Sequence, residues 1–83
     1  MSKTISKKDI FRIIAKSLKT PQNQINEKTS SKNQEDWDSL SQLNILIALD
    51  KELSGKARNI KELSDADSVK KIIQILNKKK LIK

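Results

Sequence analysis

Eighty-three residues suffice for one domain with a modest core, and 18 Lys and Arg against 10 Asp and Glu leave a net charge of +8. Cysteine and histidine are both absent, which excludes a disulfide, a thiolate metal site, a nucleophilic thiol and an imidazole base. One Gly and one Pro are too few breakers for a turn-rich sheet, so the composition favours helices.

The chain starts without the apolar run of a signal peptide, since Ile5 stands alone among Ser, Thr and Lys. Ser6 and Asp9 have the spacing of a capping box, and Ile5 and Ile10 flank it as a hydrophobic staple would. Ile10, Ile13, Ile14 and Leu18 then recur at helical spacing with Phe11 beside them. Pro21 disfavours a helical Thr20 and is predicted to end this first helix.

Residues 20–38 form a polar connection interrupted by Ile25 and Trp37, the predicted anchors of a long loop. A second helix is predicted from about Ser39 to Leu53, ending near Ser54-Gly55. It carries two apolar stripes. Ile45, Leu46, Leu49 and Leu53 face a core, while Leu40, Leu43 and Ile47 are either covered by a neighbour or kept for a partner. A short helical turn around Ile60–Leu63 should follow. The last helix, capped near Asp67 or Ser68, should bury Val69, Ile72, Ile73 and Leu76. Lys78, Lys79 and Lys80 suit its C-terminal dipole, and the tail Leu81-Ile82-Lys83 is expected to fray.

Charge is unevenly spread. Residues 1–20 carry six basic groups and one acidic, residues 35–53 one and five, and residues 69–83 six and none. The longest apolar stretch, Leu43 to Leu49, contains Asn44 and is far short of the roughly 20 residues of a membrane span. A soluble, cytoplasmic monomer without membrane contact is the expectation.

Asp38-Ser39-Leu40 stands where the second helix begins. The order helix, long loop, Asp-Ser-Leu, helix, short helix, helix resembles the acyl carrier protein family over residues 5–78. WDSLSQLNILIALDKEL is similar to that family's second helix and DSVKKIIQIL to its last. The resemblance implies an all-α fold, a small four-helix bundle with three long helices and one short, comprising residues 1–83 as a single carrier domain. It implies that Ser39 accepts 4'-phosphopantetheine from coenzyme A through a separate phosphopantetheinyl transferase. Acyl-loading and acyl-receiving enzymes would then be partners, met by Asp38, Leu40 and Ile47.

On this reading the chain has no catalytic residues and no metal of its own, and the arm's thiol is its only thiol. An exposed helix N-terminus favours an attached phosphate, although a Ser there is also an ordinary N-cap. Asp38 can likewise be a cap, a dipole partner or a transferase contact. The family is typically acidic, whereas this chain is basic overall and has Ser41 and Asn44 where acidic residues are common. Its local carboxylates, Glu35, Asp36, Asp38, Asp50 and Glu52, suit basic partner patches of a dedicated partner. Trp37 before the motif resembles stand-alone carriers of specialised pathways, such as secondary metabolites or surface glycans, with fatty-acid synthesis the other possibility.

Three other functions fit parts of the pattern. A basic nucleic-acid-binding domain would need the two Lys-rich ends to meet, yet only one Trp and one Phe are available for stacking. An unmodified helical interaction module would leave Ser39 as a cap. A membrane-surface helix at the C-terminus would need larger apolar residues at the interface. The carrier reading expects neither nucleic acid nor membrane as a partner.

Overall fold

The first helix, α1, spans Lys7–Leu18 and begins with the capping box that the spacing implies. The Ser6 hydroxyl accepts from the Asp9 amide at 3.2 Å, and the Asp9 carboxylate accepts from the Ser6 amide at 3.0 Å. Both staple residues, Ile5 and Ile10, are buried, as are Ile13, Ile14 and Leu18. The helix ends before Pro21 intervenes. Lys19 turns left-handed at φ 56°, and the Thr20 amide donates to the Ala15 carbonyl at 2.9 Å.

The computed structural model describes residues 4–82. After α1 the chain makes one 3-10 turn, Gln22–Gln24, then a loop anchored by buried Ile25 and Trp37. A third anchor was not apparent from hydropathy: Thr29 is buried. Its hydroxyl accepts from the Asn26 amide at 3.0 Å, and its carbonyl accepts from the Val69 amide at 2.9 Å. The Ser31 amide donates to the Asp67 carbonyl at 2.9 Å, beside an isolated bridge between Ser30 and Ser68. These bonds tie the polar loop to the start of the last helix.

The second helix, α2, spans Ser39–Glu52, with Leu53 as its C-cap. Ser54 and Gly55 follow at positive φ, 56° and 88°. Glycine takes that conformation with little steric penalty, which places its amide 2.8 Å from the Asp50 carbonyl. Two further 3-10 turns, Ala57–Asn59 and Lys61–Asp65, bring Ala57, Ile60, Leu63 and Ala66 into the core. The expected short helix around Ile60–Leu63 therefore takes 3-10 form. Among the described residues there are three α-helices rather than four, and no strand.

The last helix, α3, spans Val69–Lys78 and is capped by Ser68, whose hydroxyl accepts from the Lys71 amide at 3.1 Å. Val69, Ile72 and Leu76 are buried, whereas Ile73 is only half-buried. The tail departs from expectation. Leu81 is buried, and its carbonyl accepts from the Ile5 amide at 2.9 Å beside an Ile5–Ile82 bridge. Backbone pairing and burial of Leu81 hold these residues down; Lys83 lies outside the described residues.

α1 packs against both α2 and α3, and the two later 3-10 turns lean on α2. The radius of gyration is 11.5 Å, close to the roughly 12 Å expected of a compact chain this long. None of the helices described is long and apolar enough to cross a membrane.

Candidate functional site at the start of the second helix

The residues leading into α2 are fixed by backbone and side-chain bonds together. Asp38 is the N-cap: it has extended backbone, and its Oδ1 accepts from the Ser41 amide at 2.9 Å. The Ser41 hydroxyl reaches back to the Asp36 carbonyl at 2.7 Å, closing a clasp across the helix start. Accepting the Ser41 amide holds the Asp38 carboxyl below the usual carboxylate range. Ser41 is thus the cap's partner, a role its sequence position did not announce.

Ser39 is the first residue of the helix and is exposed. Since Asp38 provides the cap, the Ser39 hydroxyl makes no side-chain hydrogen bond among the described residues. One turn further on, Gln42 holds the segment to the body of the protein. Its Oε1 accepts from Trp37 Nε1 at 2.6 Å, and its Nε2 donates to the carbonyls of Ala66 at 3.0 Å and Leu63 at 3.3 Å. Buried Trp37 is thereby satisfied, and α2 is fastened to the 3-10 turn below it.

An open depression of about 630 Å3 lies beside Ser39, lined by Trp37, Gln42, Ser31, Ser64 and the carboxylates of Asp38, Asp65 and Asp67. No cation lines it. The immediate surroundings of the hydroxyl are acidic.

Down the outer face of α2, Leu40, Leu43 and Ile47 are 67%, 52% and 54% exposed. The other stripe behaves as the periodicity implies, with Ile45, Leu49 and Leu53 buried and Leu46 packed against them. The second stripe is therefore not covered by any neighbour among the described residues. On one side of it, a groove of about 550 Å3 runs between α2 and the later 3-10 turns, walled by Leu46, Ile47, Ile60 and Leu63. On the other, a groove of about 390 Å3 between α1 and α2 is lined by Arg12, Lys16, Lys19 and Lys51 against a single carboxylate, Glu52.

Two of the five negative charges counted along the sequence are neutralised in space. Asp50 accepts from the Arg58 amide at 2.9 Å and from its guanidinium at 2.9 and 3.2 Å, which holds the Asp50 carboxyl down. Glu52 pairs with Arg12 at 3.0 Å. Of the five local carboxylates, Glu35, Asp36 and Asp38 alone make no ion pair among the described residues, and all three precede α2.

The two ends of the chain do meet, through Ile5 and Leu81. Lys8, Lys78, Lys79 and Lys80 are exposed, while Lys7 pairs with Glu27 at 2.9 Å. α3 begins beside the Ser39 depression, so its ten residues put Lys78 about 15 Å away along the helix. Comparison with known proteins finds no family model, no curated protein and no solved structure that matches the chain.

Proposed function

We propose that this chain is an acyl-carrier-type protein, with a 3-10 turn in the place of that family's short helix, in which Ser39 receives a 4'-phosphopantetheine arm. The Ser39 oxygen would attack the phosphorus of coenzyme A that bears the pantetheine. A serine–phosphate bond forms, the pyrophosphate bond breaks, adenosine 3',5'-bisphosphate leaves, and the hydroxyl proton passes to a base of the transferase. The protein then presents acyl or similar cargo as a thioester on that arm, for a specialised biosynthetic pathway or for fatty-acid synthesis.

The observation that carries this reading is how the helix start is shared between two residues. Asp38 caps the helix by accepting from the Ser41 amide, so the neighbouring Ser39 hydroxyl is not used as the cap; it stays exposed and makes no side-chain hydrogen bond among the described residues. A serine needed for the cap would be engaged with the backbone instead. The positive end of a 14-residue helix favours a phosphate at this point, and the surrounding carboxylates offer a transferase's basic surface something to meet.

One observation favours a second reading, a basic domain that binds nucleic acid, because the chain ends meet. That pole has no stacking surface, however: Trp37 is buried at the opposite end and Phe11 is packed against the core. Lysines alone give weak, salt-labile binding.

Purified protein incubated with coenzyme A, Mg2+ and a broad-specificity phosphopantetheinyl transferase, then weighed intact, tests the proposal. One arm is expected on the wild-type chain and none on Ser39→Ala. A folded wild-type sample whose mass does not change refutes the carrier reading.

A further inference from the structure

The stripe Leu40, Leu43 and Ile47 is a contiguous apolar face on a helix whose opposite face fills the core. Successive residues turn by about 100°, so all three point away from Ile45 and Leu49. Three large apolar side chains, each more than half exposed, mark a surface meant to be covered. What covers it is indicated by the charges at its borders.

Along the α1 side stand Lys16, Lys19 and Lys51, all exposed and without an ion pair among the described residues. Arg12 joins them, while the one carboxylate there, Glu52, is held by Arg12. Along the other border Asp50 and Arg58 cancel each other, and Lys61 adds a positive charge. The linings of both grooves are therefore neutral to positive; the carboxylates of the α2 segment that make no ion pair among the described residues sit at its tip, ahead of Leu40, and the adjoining 3-10 turn adds exposed Glu62 and Asp65. A basic partner surface laid along α2 would meet like charge over most of its length.

We infer that the stripe and the basic groove beside it dock a protein surface of apolar side chains flanked by carboxylates, the reverse of the partner polarity an acidic carrier requires. This rests on the carrier reading only in taking α2 as the helix that partners meet. Leu43 and Ile47 supply the apolar contact, Lys16, Lys19 and Lys51 select the acidic flank, and the acidic tip at Asp36 and Asp38 keeps a basic transferase's approach confined to the neighbourhood of Ser39.

Two synthetic helical peptides test the inference, with one leucine stripe in common and flanks of Glu in the first and Lys in the second. They are titrated into the full-length 15N-labelled protein. The Glu-flanked peptide should shift the amide signals of Lys16, Lys19, Leu43, Ile47 and Lys51, binding roughly tenfold more tightly than its Lys-flanked counterpart at low salt. That preference should shrink towards unity as salt shortens the screening length to a few ångströms, about 3 Å at 1 M. The triple variant Lys16→Glu, Lys19→Glu, Lys51→Glu, which removes no described bond, should reverse it. Equal or tighter binding of the Lys-flanked peptide overturns the inference, and so does no perturbation of this face. Perturbation centred on Lys78–Lys80, or self-association through the stripe, overturns it too. The mass experiment on the same sample is independent: an arm gained without the peptide preference sinks only the polarity, and the preference without an arm sinks only the carrier.

Discussion

Replacing Gln42 with methionine should cost the fold about 2–3 kcal/mol, because one amide side chain closes three bonds. Methionine matches glutamine in length and fills the same space, so packing is nearly conserved. What disappears is the acceptor for Trp37 Nε1 at 2.6 Å and the donor to the carbonyls of Ala66 and Leu63, at 3.0 and 3.3 Å. Trp37, Leu63 and Ala66 are 5%, 1% and 1% exposed, so the groups left behind are largely shielded, although half-buried Gln42 borders the open depression, from which water offsets part of the loss. At about 0.5–1.5 kcal/mol per bond, with the long Leu63 bond at the weak end, the sum runs from about 1.5 to about 3.5 kcal/mol, and the stated range is its middle. A chain of this length has roughly 4–12 kcal/mol in all, and the melting temperature should fall by roughly 10–20 °C. Urea unfolding followed by Trp37 fluorescence, with circular dichroism as a second probe, reads the change. Gln42→Glu, which keeps the acceptor but sets a carboxylate against two carbonyl oxygens, should be at least as damaging. A methionine variant within about 0.5 kcal/mol of wild type would refute the reasoning.

Ser39→Ala should leave stability within about 0.5 kcal/mol of wild type in the same urea assay, since its hydroxyl bonds to nothing described; a larger loss would make Ser39 a structural cap. Leu81→Ala should cost about 2 kcal/mol, the low end for a buried leucine because the chain end can relax; an unchanged melting temperature would show that the tail does not contribute. The carboxyls of Asp9, Asp38, Asp50 and Asp67 are held below the usual range, chiefly by the Ser6 amide, the Ser41 amide, Arg58 and Lys71 respectively. Protonation therefore favours the unfolded chain: their stabilisation is complete above about pH 4 and is lost as pH falls through the lower folded values. With no histidine, melting temperature should be nearly flat from about pH 5 to 8 and decline below about 4; a rise on acidification would contradict this.

The helices were legible because their signals are local. Ser6 and Asp9 form the capping box their spacing implies, Ser68 caps α3, and the stripes of α1 and α2 bury the residues the period selects. Features that depend on distant partners were not. Thr29 is polar, and only its bond to Val69 explains its burial. Leu81 looked like a loose end because nothing in the sequence announces that Ile5 will pair with it. The short helix became a 3-10 turn, for which periodicity over five residues gives no discrimination. At the candidate site, Ser39 is singled out by its place in a family-like order, and Asp38 reads as a cap, yet Ser41, whose amide engages that cap and whose hydroxyl clasps the Asp36 carbonyl, is ordinary in sequence. Counted along the chain, α2 is more acidic than it is in space, because Arg12 and Arg58, distant in sequence or on another element, neutralise Glu52 and Asp50.

Fragment-ion mapping of the transferase product offers the sharpest check, because two serines lie within one turn of each other, Ser39 exposed and Ser41 half-buried with its hydroxyl engaged. The Ser41 hydroxyl is bound to the Asp36 carbonyl and the Ser39 hydroxyl has no side-chain partner among the described residues, so the pantetheinyl phosphate should be found wholly on Ser39 and should persist in Ser41→Ala. Label on Ser41, label spread over both residues, or none at all on folded protein would contradict the assignment.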